Sequence, residues 1–286
     1  MMEIPFTKMH GLGNNYIYLD LFRFEIKEEM LPRLARAVSD VHTGIGSDGL
    51  ILIQPSEVAD VSMRIFNKDG SEGNTCGNGL RCVAKYVSEN NIVSFRKFWI
   101  ETKANVVEAA VELDENDDIK EITINMGEPQ LKREQIPMLG EPASKIIAEP
   151  FAVDGQQLQV TAISMGNPHA VFFVDSIEDA PLHELGPVIE KDARFPEGVN
   201  VEFVEILSDR EMNFRVWERG SGVTEACGTG ACAAVVAAIL NGFMKKGERI
   251  CVHLSGGDLF IRWDKQGQVW MTGGAEVIAT GVFYLS

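Results

Sequence analysis

The chain has 286 residues, of which 45% are hydrophobic and 24% are charged, and 42 acidic against 26 basic side chains give a formal charge of −16. This composition is that of a folded globular protein rather than a disordered one, and the length suits two domains of roughly 140 residues each. The acidic balance disfavours binding to nucleic acid and to anionic membranes, so neither is expected as a partner.

The beginning of the chain and its most apolar stretch carry no targeting or membrane signal. Residues 1–10 include Glu3 and Lys8, and the apolar run 231–240 is far too short for a membrane span. We therefore expect a cytoplasmic protein. An odd number of cysteines, five in this chain, argues against a disulfide framework and leaves core filling, metal ligation or catalysis as their roles.

Most of the chain is predicted to form short strands, because β-branched or alternating apolar residues recur between turn residues. In the first half these strands are 16–20, 50–53, 62–66, 99–102, 106–113 and 119–125. In the second half they are 159–164, 170–174, 200–205, 212–217, 249–254, 259–263 and 269–272. Residues 125–136 contain Gly127 and Pro129 and lack periodicity, so we expect the chain to cross between domains there.

Four helices are predicted, and two of them differ in kind from the others. Residues 28–41 and 182–192 have the amphipathic spacing of surface helices. Residues 78–89 and 229–240 each follow a glycine-rich turn and carry few charges, and the second is apolar on all sides. A helix apolar on all sides is buried, so we expect it to run through the middle of a curled sheet.

The two weakly charged helices belong to an internal repeat. Arg64-Ile65-Phe66 begins twelve residues before Cys76, and Arg215-Val216-Trp217 begins twelve residues before Cys227. Both loops end in Cys-Gly-x-Gly, and the two copies are separated by about half the chain. Such a repeat predicts two related domains, each with a cysteine at the start of its central helix.

A cysteine at the start of a helix is a candidate for chemistry. The unpaired N–H groups and the helix dipole stabilise a thiolate there, which lowers the pKa of the thiol from its usual value of about 8.5. The glycines that follow let backbone N–H groups approach a carboxylate. One isolated copy is weak evidence, because a lone buried cysteine is more often a small hydrophobic residue. The two matched copies favour catalysis.

The other cysteines are interpreted as structural. Cys82 and Cys232 fall inside the weakly charged helices, and Cys251 lies in a strand without a motif. The intervals from Cys76 to Cys82 and from Cys227 to Cys232 do not match the spacing of structural zinc sites, so no metal is expected.

Two matched thiols suit the inversion of a stereocentre without a cofactor. Inversion through a planar carbanion needs a base on one face of the carbon and an acid on the other, and a duplicated domain supplies both. The α-proton of an amino acid is a very weak acid. The site must therefore also stabilise the carbanion with fixed dipoles and exclude water.

The chain resembles the diaminopimelate epimerase family, cofactor-independent enzymes that convert LL-diaminopimelate to the meso form in lysine and cell-wall precursor biosynthesis. The segments that carry the resemblance are 9–14, 66–72, 76–82, 165–169, 199–200, 217–220 and 226–230. The resemblance implies an α/β fold of two pseudosymmetric domains, each a curled, mainly antiparallel sheet around a central helix. The implied domains are 1–127, to which 274–286 return, and 128–273.

The resemblance also implies a role for each matching residue. Cys76 and Cys227 are implied to be the catalytic thiols, with Cys76 the acid and Cys227 the base for the LL substrate. His169 and Glu218 are implied to tune the thiols. The implied substrate-binding residues are Asn14, Asn67, Gly77, Asn78, Asn167, Asn200, Glu218, Arg219, Gly228 and Thr229. No cofactor and no metal are implied, and a homodimer is left open.

Simpler structural roles and rival functions stay open at this point. Asn14 and Asn67 lie near glycines and suit simple turns. Glu218-Arg219 as a surface ion pair would contribute little to stability. The rival functions are a proline or hydroxyproline racemase of the same fold group, a thiol redox or zinc-binding protein, and a non-catalytic amino-acid-binding protein.

Overall fold

The computed structural model describes residues 2–73 and 76–285. They form two compact units: the first contains the described residues up to Ile124 and those from Gly273 onwards, and the second is Asn125–Thr272. Positions 1 and 286, the outer limits predicted for the domains, lie outside the described residues.

The first unit is a mainly antiparallel sheet with two helices. Its strands are β1 (Met2–Gly11), β2 (Asn14–Asp20), β3 (Gly49–Gln54), β4 (Val61–Asn67), β5 (Glu72–Gly73), β6 (Lys97–Glu101), β7 (Val106–Leu113), β8 (Ile119–Asn125) and β18 (Glu276–Leu285). Helix α1 (Leu31–Ser39) connects β2 to β3, and helix α2 (Gly77–Glu89) lies between β5 and β6. The pairs β2–β3 and β4–β6 are parallel, as expected where a helix forms the crossover.

The second unit has the same kind of architecture. Its strands are β9 (Glu149–Val153), β10 (Gln156–Ser164), β11 (Pro168–Phe173), β12 (Asn200–Ile206), β13 (Glu211–Glu218), β14 (Gly222–Val223), β15 (Ile250–Leu254), β16 (Gly257–Trp263) and β17 (Val269–Gly273). Helix α3 (Leu182–Glu190) connects β11 to β12, and helix α4 (Gly228–Leu240) lies between β14 and β15. The pairs β11–β12 and β13–β15 are parallel.

The two units repeat one order of strand pairing. In the first unit β1–β2 is antiparallel, β2–β3 parallel, β3–β4 antiparallel and β4–β6 parallel. In the second unit β10–β11, β11–β12, β12–β13 and β13–β15 follow the same sequence of directions. The C-terminal strand β18 pairs with β1 as β9 pairs with β10. The predicted fold class, an α/β chain of two pseudosymmetric domains, is confirmed.

The helices α2 and α4 occupy the centres of their own units. Residues Ala231 to Ala238 of α4 have no exposed surface, and this helix packs against β10, β11, β12, β13, β15 and β16. In α2 the cationic Arg81 is also fully buried. Its guanidinium donates to the Gly274 carbonyl at 3.1 Å and to Asn78 Oδ1 at 3.0 Å, which supplies the partners that a buried charge needs.

Two elements near the start of the chain differ from the prediction. Strand β1 was not predicted, and it contains Pro5, a residue that is unusual in a central strand. Pro5 lies opposite Val282 of β18 and outside the segment Thr7–Gly11 that pairs with β2, so its missing N–H breaks no bond to β2. The predicted helix 28–41 is a 3-10 turn followed by α1, whose first turn contains Pro32.

None of the helices in the described part of the chain combines the length and apolar character that a membrane span needs.

Candidate active site

Cys76 lies at the N-cap position of α2, where it receives a backbone hydrogen bond. Its Sγ accepts from the N–H of Gly79 at 3.4 Å, and the side chain is half-buried. A Cβ on Gly79 would lie 2.7 Å from Cδ1 of Ile51, so any other residue at that position would force the Ile51 side chain to move.

Asn14 contacts the Cys76 thiol, and Asn78 contacts Asn14. The thiol donates to Asn14 Oδ1 at 3.5 Å, and the same oxygen accepts from Asn78 Nδ2 at 3.4 Å. Asp48 holds the other end of Asn14 by accepting from its Nδ2 at 3.0 Å. The structure thus brings the predicted residues Asn14 and Asn78 to Cys76. Asn67 closes a turn instead, with its Nδ2 donating to Ser71 Oγ at 3.0 Å.

Cys227 has the equivalent place at the N-cap of α4 but is more deeply buried. Its Sγ accepts from the N–H of Gly230 at 3.4 Å and lies 3.5 Å from the hydroxyl oxygen of Thr229. Only 4% of its surface is exposed. A Cβ on Gly230 would lie 2.9 Å from Oε1 of Glu202, so the sulfur and this carboxyl group share a tightly packed corner.

A chain of hydrogen bonds runs from Glu202 to Thr229, the neighbour of the Cys227 sulfur. Nδ1 of His169 lies 2.6 Å from Glu202 Oε1, and both side chains are fully buried. Nε2 of His169 lies 3.0 Å from Asn167 Oδ1. Asn167 Nδ2 then donates to Thr229 Oγ1 at 3.3 Å, next to Cys227. The predicted residues Asn167, His169 and Thr229 are therefore joined by direct contacts.

Asn200 forms hydrogen bonds both to β11 and to the residue after β13, which ends at Glu218 and is followed by Arg219. It donates to the Pro168 carbonyl at 2.9 Å and accepts from the N–H of Arg219 at 2.9 Å, with 3% of its surface exposed. The Thr224 hydroxyl donates to Glu218 Oε1 at 2.5 Å. The guanidinium of Arg219 donates to the Glu197 carbonyl at 2.8 Å and is otherwise exposed to solvent.

The remaining predicted residues form the first turns of the two central helices. Gly77 and Asn78 open α2, and Gly228 and Thr229 open α4. The backbone N–H groups of a first helical turn lack intrahelical partners and can donate to an anion. Each unit therefore presents a thiol beside N–H donors suited to a carboxylate.

One group of potential metal ligands occurs among the described residues, and it includes neither Cys76 nor Cys227. Cys251, His253 and Asp258 have donor atoms within 4.8 Å of one another on the β15–β16 hairpin. His253 Nδ1 is engaged with Asp258 Oδ1 at 2.8 Å, and Cys251 had been interpreted as structural. This group has no contact with the hydrogen-bond chain at Cys227 among those that the structure describes.

Comparison with known proteins assigns the family. A family model described as diaminopimelate epimerase matches residues 6–132 and 161–278. The chain is 64% identical over 283 residues to the diaminopimelate epimerase of Oceanobacillus iheyensis, covering 99% of both chains. It is also 64% identical to that of Geobacillus thermodenitrificans, covering 99% of this chain and 98% of the relative. The chain belongs to the diaminopimelate epimerase family.

Solved structures with little sequence similarity share the fold of this family member. A phenazine biosynthesis protein from Bacillus anthracis superposes with a TM-score of 0.73 at 17% identity, covering 100% of both chains. A hydroxyproline epimerase from Agrobacterium vitis gives a TM-score of 0.71 at 14% identity, covering 99% of this chain and 91% of that one. At these identities the likeness concerns the fold alone.

The electrostatics of Cys227 reverse one expectation from the sequence. A helix N-terminus was predicted to lower the pKa of this thiol, but burial raises the pKa well above its usual value. A carboxylate at Glu218 or Glu202 raises it further when that group is ionised, while the hydrogen bonds from Thr229 and Gly230 lower it. Desolvation outweighs the helix terminus here because the thiolate loses its water and faces two carboxyl groups.

This balance predicts the pH dependence of alkylation at Cys227. Only the thiolate reacts, so the rate should rise with pH until the raised pKa is reached. In Glu218→Gln one negative charge is removed, the pKa of Cys227 falls, and the alkylation profile should shift to lower pH. Mass spectrometry of iodoacetamide-treated protein measures each cysteine in the same sample.

Cys251 provides the internal control, because burial and its acidic neighbours Asp258 and Glu211 raise its pKa to about 11 without any contribution from Glu218. Its profile should stay in place in Glu218→Gln. An unshifted Cys227 profile, or an equal shift at both cysteines, contradicts the proposed repulsion by Glu218.

Glu202 is the site residue that the sequence analysis missed. It lies in β12 among apolar neighbours, where a glutamate is normally expected to face solvent. One signal was available: side chains two residues apart share a face of a strand, which puts Glu202 on the face of Asn200. That both faces of β12 are buried became evident only from the tertiary structure.

Proposed function

We propose that this chain interconverts LL- and meso-diaminopimelate with two cysteines, one removing the α-proton and the other returning a proton to the opposite face. The observation that carries the proposal is the pair of matched cysteines, each at the N-cap of a central helix, in a member of this family. The reaction belongs to lysine and cell-wall precursor biosynthesis.

The hydrogen bonds of the two sulfurs support different starting roles. Cys76 donates to Asn14 Oδ1, which fits a thiol that acts as the acid. Both sulfurs accept a backbone N–H, from Gly79 and Gly230 respectively, but Cys227 also lies beside the Thr229 hydroxyl, which can donate to a thiolate that acts as the base for the LL substrate. In the reverse direction the two roles are exchanged.

The chemical step conserves protons and electrons without a cofactor. The Cys227 thiolate takes the α-proton, and the electron pair of the broken C–H bond is delocalised into the substrate carboxylate. Backbone N–H groups at Gly77, Asn78, Gly228 and Thr229 stabilise that charge. Cys76 then gives its proton to the other face of the carbon. Nothing is oxidised or reduced, so no redox cofactor is required, and no step needs a metal.

A test of the whole proposal is proton exchange at the α-carbon. Dialysed, chelator-treated protein is incubated with LL-diaminopimelate in D2O and followed by NMR. We expect the meso form to accumulate with deuterium at the inverted centre. Absence of exchange, or exchange that depends on added metal or pyridoxal phosphate, would contradict the cofactor-independent mechanism.

A cytoplasmic location fits this mechanism. All five cysteines are free thiols in the structure. A reducing compartment keeps thiols in the state that proton transfer requires.

We further propose that the chain forms a homodimer through β18. Seven successive residues of this strand, from Glu276 to Val282, are exposed, and they include the apolar Val277, Ile278 and Val282. A strand with exposed apolar residues favours association with another chain, and a second copy offers a matching surface.

The dimer is tested by light scattering after size exclusion. The wild type should have twice the mass of one chain, and Ile278→Asp should shift it towards the monomer. Val58→Asp, a substitution of an exposed apolar residue elsewhere in the same unit, serves as the control and should leave the mass unchanged. A monomeric wild type would refute the proposal.

A further inference from the structure

The carboxyl group of Glu202 has two oxygens in very different surroundings. Oε1 lies 2.6 Å from Nδ1 of His169, whereas Oε2 is buried and has no hydrogen-bond partner among the described residues. A buried, unpartnered oxygen is far costlier when it belongs to a carboxylate than when it is the carbonyl oxygen of a neutral acid. The geometry therefore favours a protonated Glu202.

The next link in the chain fixes where the imidazole carries its proton. Asn167 Nδ2 donates to Thr229, so Oδ1 of the same amide faces Nε2 of His169 at 3.0 Å. A carbonyl oxygen only accepts hydrogen bonds, which requires a proton on Nε2. With Nε2 protonated, Nδ1 of a neutral imidazole is an acceptor and can receive the proton of Glu202.

The hydrogen bonds donate in the same direction as far as the Cys227 sulfur. Thr229 Oγ1 accepts from Asn167, which leaves its own hydrogen free to donate to Cys227 Sγ at 3.5 Å. A hydrogen bond of that direction stabilises a thiolate, whereas the opposite direction would stabilise the thiol.

We propose that Glu202 is a positioning residue: as a neutral acid it donates to His169 Nδ1, fixes the Nε2–H tautomer, and so directs the Thr229 hydroxyl towards Cys227. Burial raises the pKa of Glu202 and outweighs the charge and hydrogen bond of His169 and the backbone hydrogen bond from Ala170, which lower it. As a consequence of the proposal, a neutral Glu202 leaves one fewer negative charge to oppose the Cys227 thiolate. The catalytic relevance of this role rests on the proposed function, but the tautomer itself does not.

The tautomer is read directly by ¹⁵N NMR of protein labelled at histidine, without substrate. We expect His169 to show a protonated Nε2 and an unprotonated Nδ1 between about pH 7.5 and pH 9, a range in which a free imidazole is mainly neutral. His253, which pairs with the exposed Asp258, is the comparison in the same spectrum. Protonation of both nitrogens of His169, or of Nδ1 alone, would overturn the proposal.

Two substitutions separate the hydrogen bond from the charge. In Glu202→Gln the amide N–H can still donate to Nδ1, whereas Glu202→Leu keeps a similar volume but cannot donate. We expect Glu202→Leu to lose the fixed tautomer and to slow alkylation of Cys227 by roughly three- to tenfold, the effect of one hydrogen bond. Glu202→Gln should restore the tautomer and most of the alkylation rate.

Glu205→Gln is the matched control. It lies on the same strand, and its carboxylate binds Asn213 and the N–H of Ile177 rather than His169, so it should leave Cys227 unchanged. If Glu202→Gln is as impaired as Glu202→Leu, the charge rather than the donated proton matters and the proposal is wrong. If Glu202→Leu does not fold, the wild-type and Glu202→Gln spectra still decide. Because these readouts need no substrate, failure of the epimerase assignment would leave them intact.

Discussion

Replacing either Cys76 or Cys227 by alanine is expected to lower epimerisation of LL-diaminopimelate by roughly 10²–10⁴-fold, the usual contribution of one general acid or base. The physical reason is that inversion needs proton transfer on both faces of the α-carbon, so neither thiol can replace the other. The rate is measured as meso-diaminopimelate formed per unit time, with circular dichroism confirming that each variant is folded.

The chain offers a matched control in Cys251→Ala. Cys251 lies in β15 with its sulfur beside His253, outside the hydrogen bonds that surround Cys76 and Cys227, so its substitution should leave the rate within about twofold. Near-normal turnover in either Cys76→Ala or Cys227→Ala would exclude the two-base mechanism. An equal loss in Cys251→Ala would point to a general effect on folding instead.

Replacing Arg219 by lysine is expected to cut kcat/KM for diaminopimelate by on the order of 10², because a charge-assisted, bidentate contact to the substrate is lost. A guanidinium binds a carboxylate through two parallel N–H donors, a geometry that an ammonium cannot reproduce. Arg219 already has its backbone fixed by Asn200, and its guanidinium is exposed for a ligand. We therefore expect it to bind the distal carboxylate of the substrate, with Glu218 accepting from the distal ammonium.

Substrate analogues test the same idea without a mutation. Lysine has the distal ammonium but no distal carboxylate, and proline has neither. Deuterium exchange at the α-carbon, followed by NMR, should be seen with LL- or meso-diaminopimelate and be negligible with lysine or proline. Comparable exchange with proline would move the assignment to the racemase alternative.

Arg210→Lys is the control for the arginine prediction. Arg210 forms an exposed ion pair with Glu248 at 2.7 Å, and such pairs contribute little. Its substitution should leave kcat/KM unchanged. If Arg219→Lys also leaves kcat/KM unchanged, the distal carboxylate is bound by other groups.

Several elements of the fold were predictable because their signals are local. The helices 78–89 and 229–240 were expected from a glycine-rich turn followed by weakly charged sequence, and the structure places them at Gly77–Glu89 and Gly228–Leu240. The repeat of Cys-Gly-x-Gly likewise predicted a cysteine at the start of each helix. By contrast, β1 was missed because its place depends on β18, which comes from the far end of the chain.

What the sequence by itself determined is which chemical groups are present and which helix ends carry them, since both follow from residues adjacent in the chain. The tertiary structure alone decided the surroundings of those groups. Asn14 reaches Cys76 from β2, Glu202 reaches His169 from a neighbouring strand, and burial raises the pKa of Cys227 where a helix terminus was expected to lower it. These outcomes depend on how much water each group loses and which charges approach it, and both are set by residues distant in the sequence.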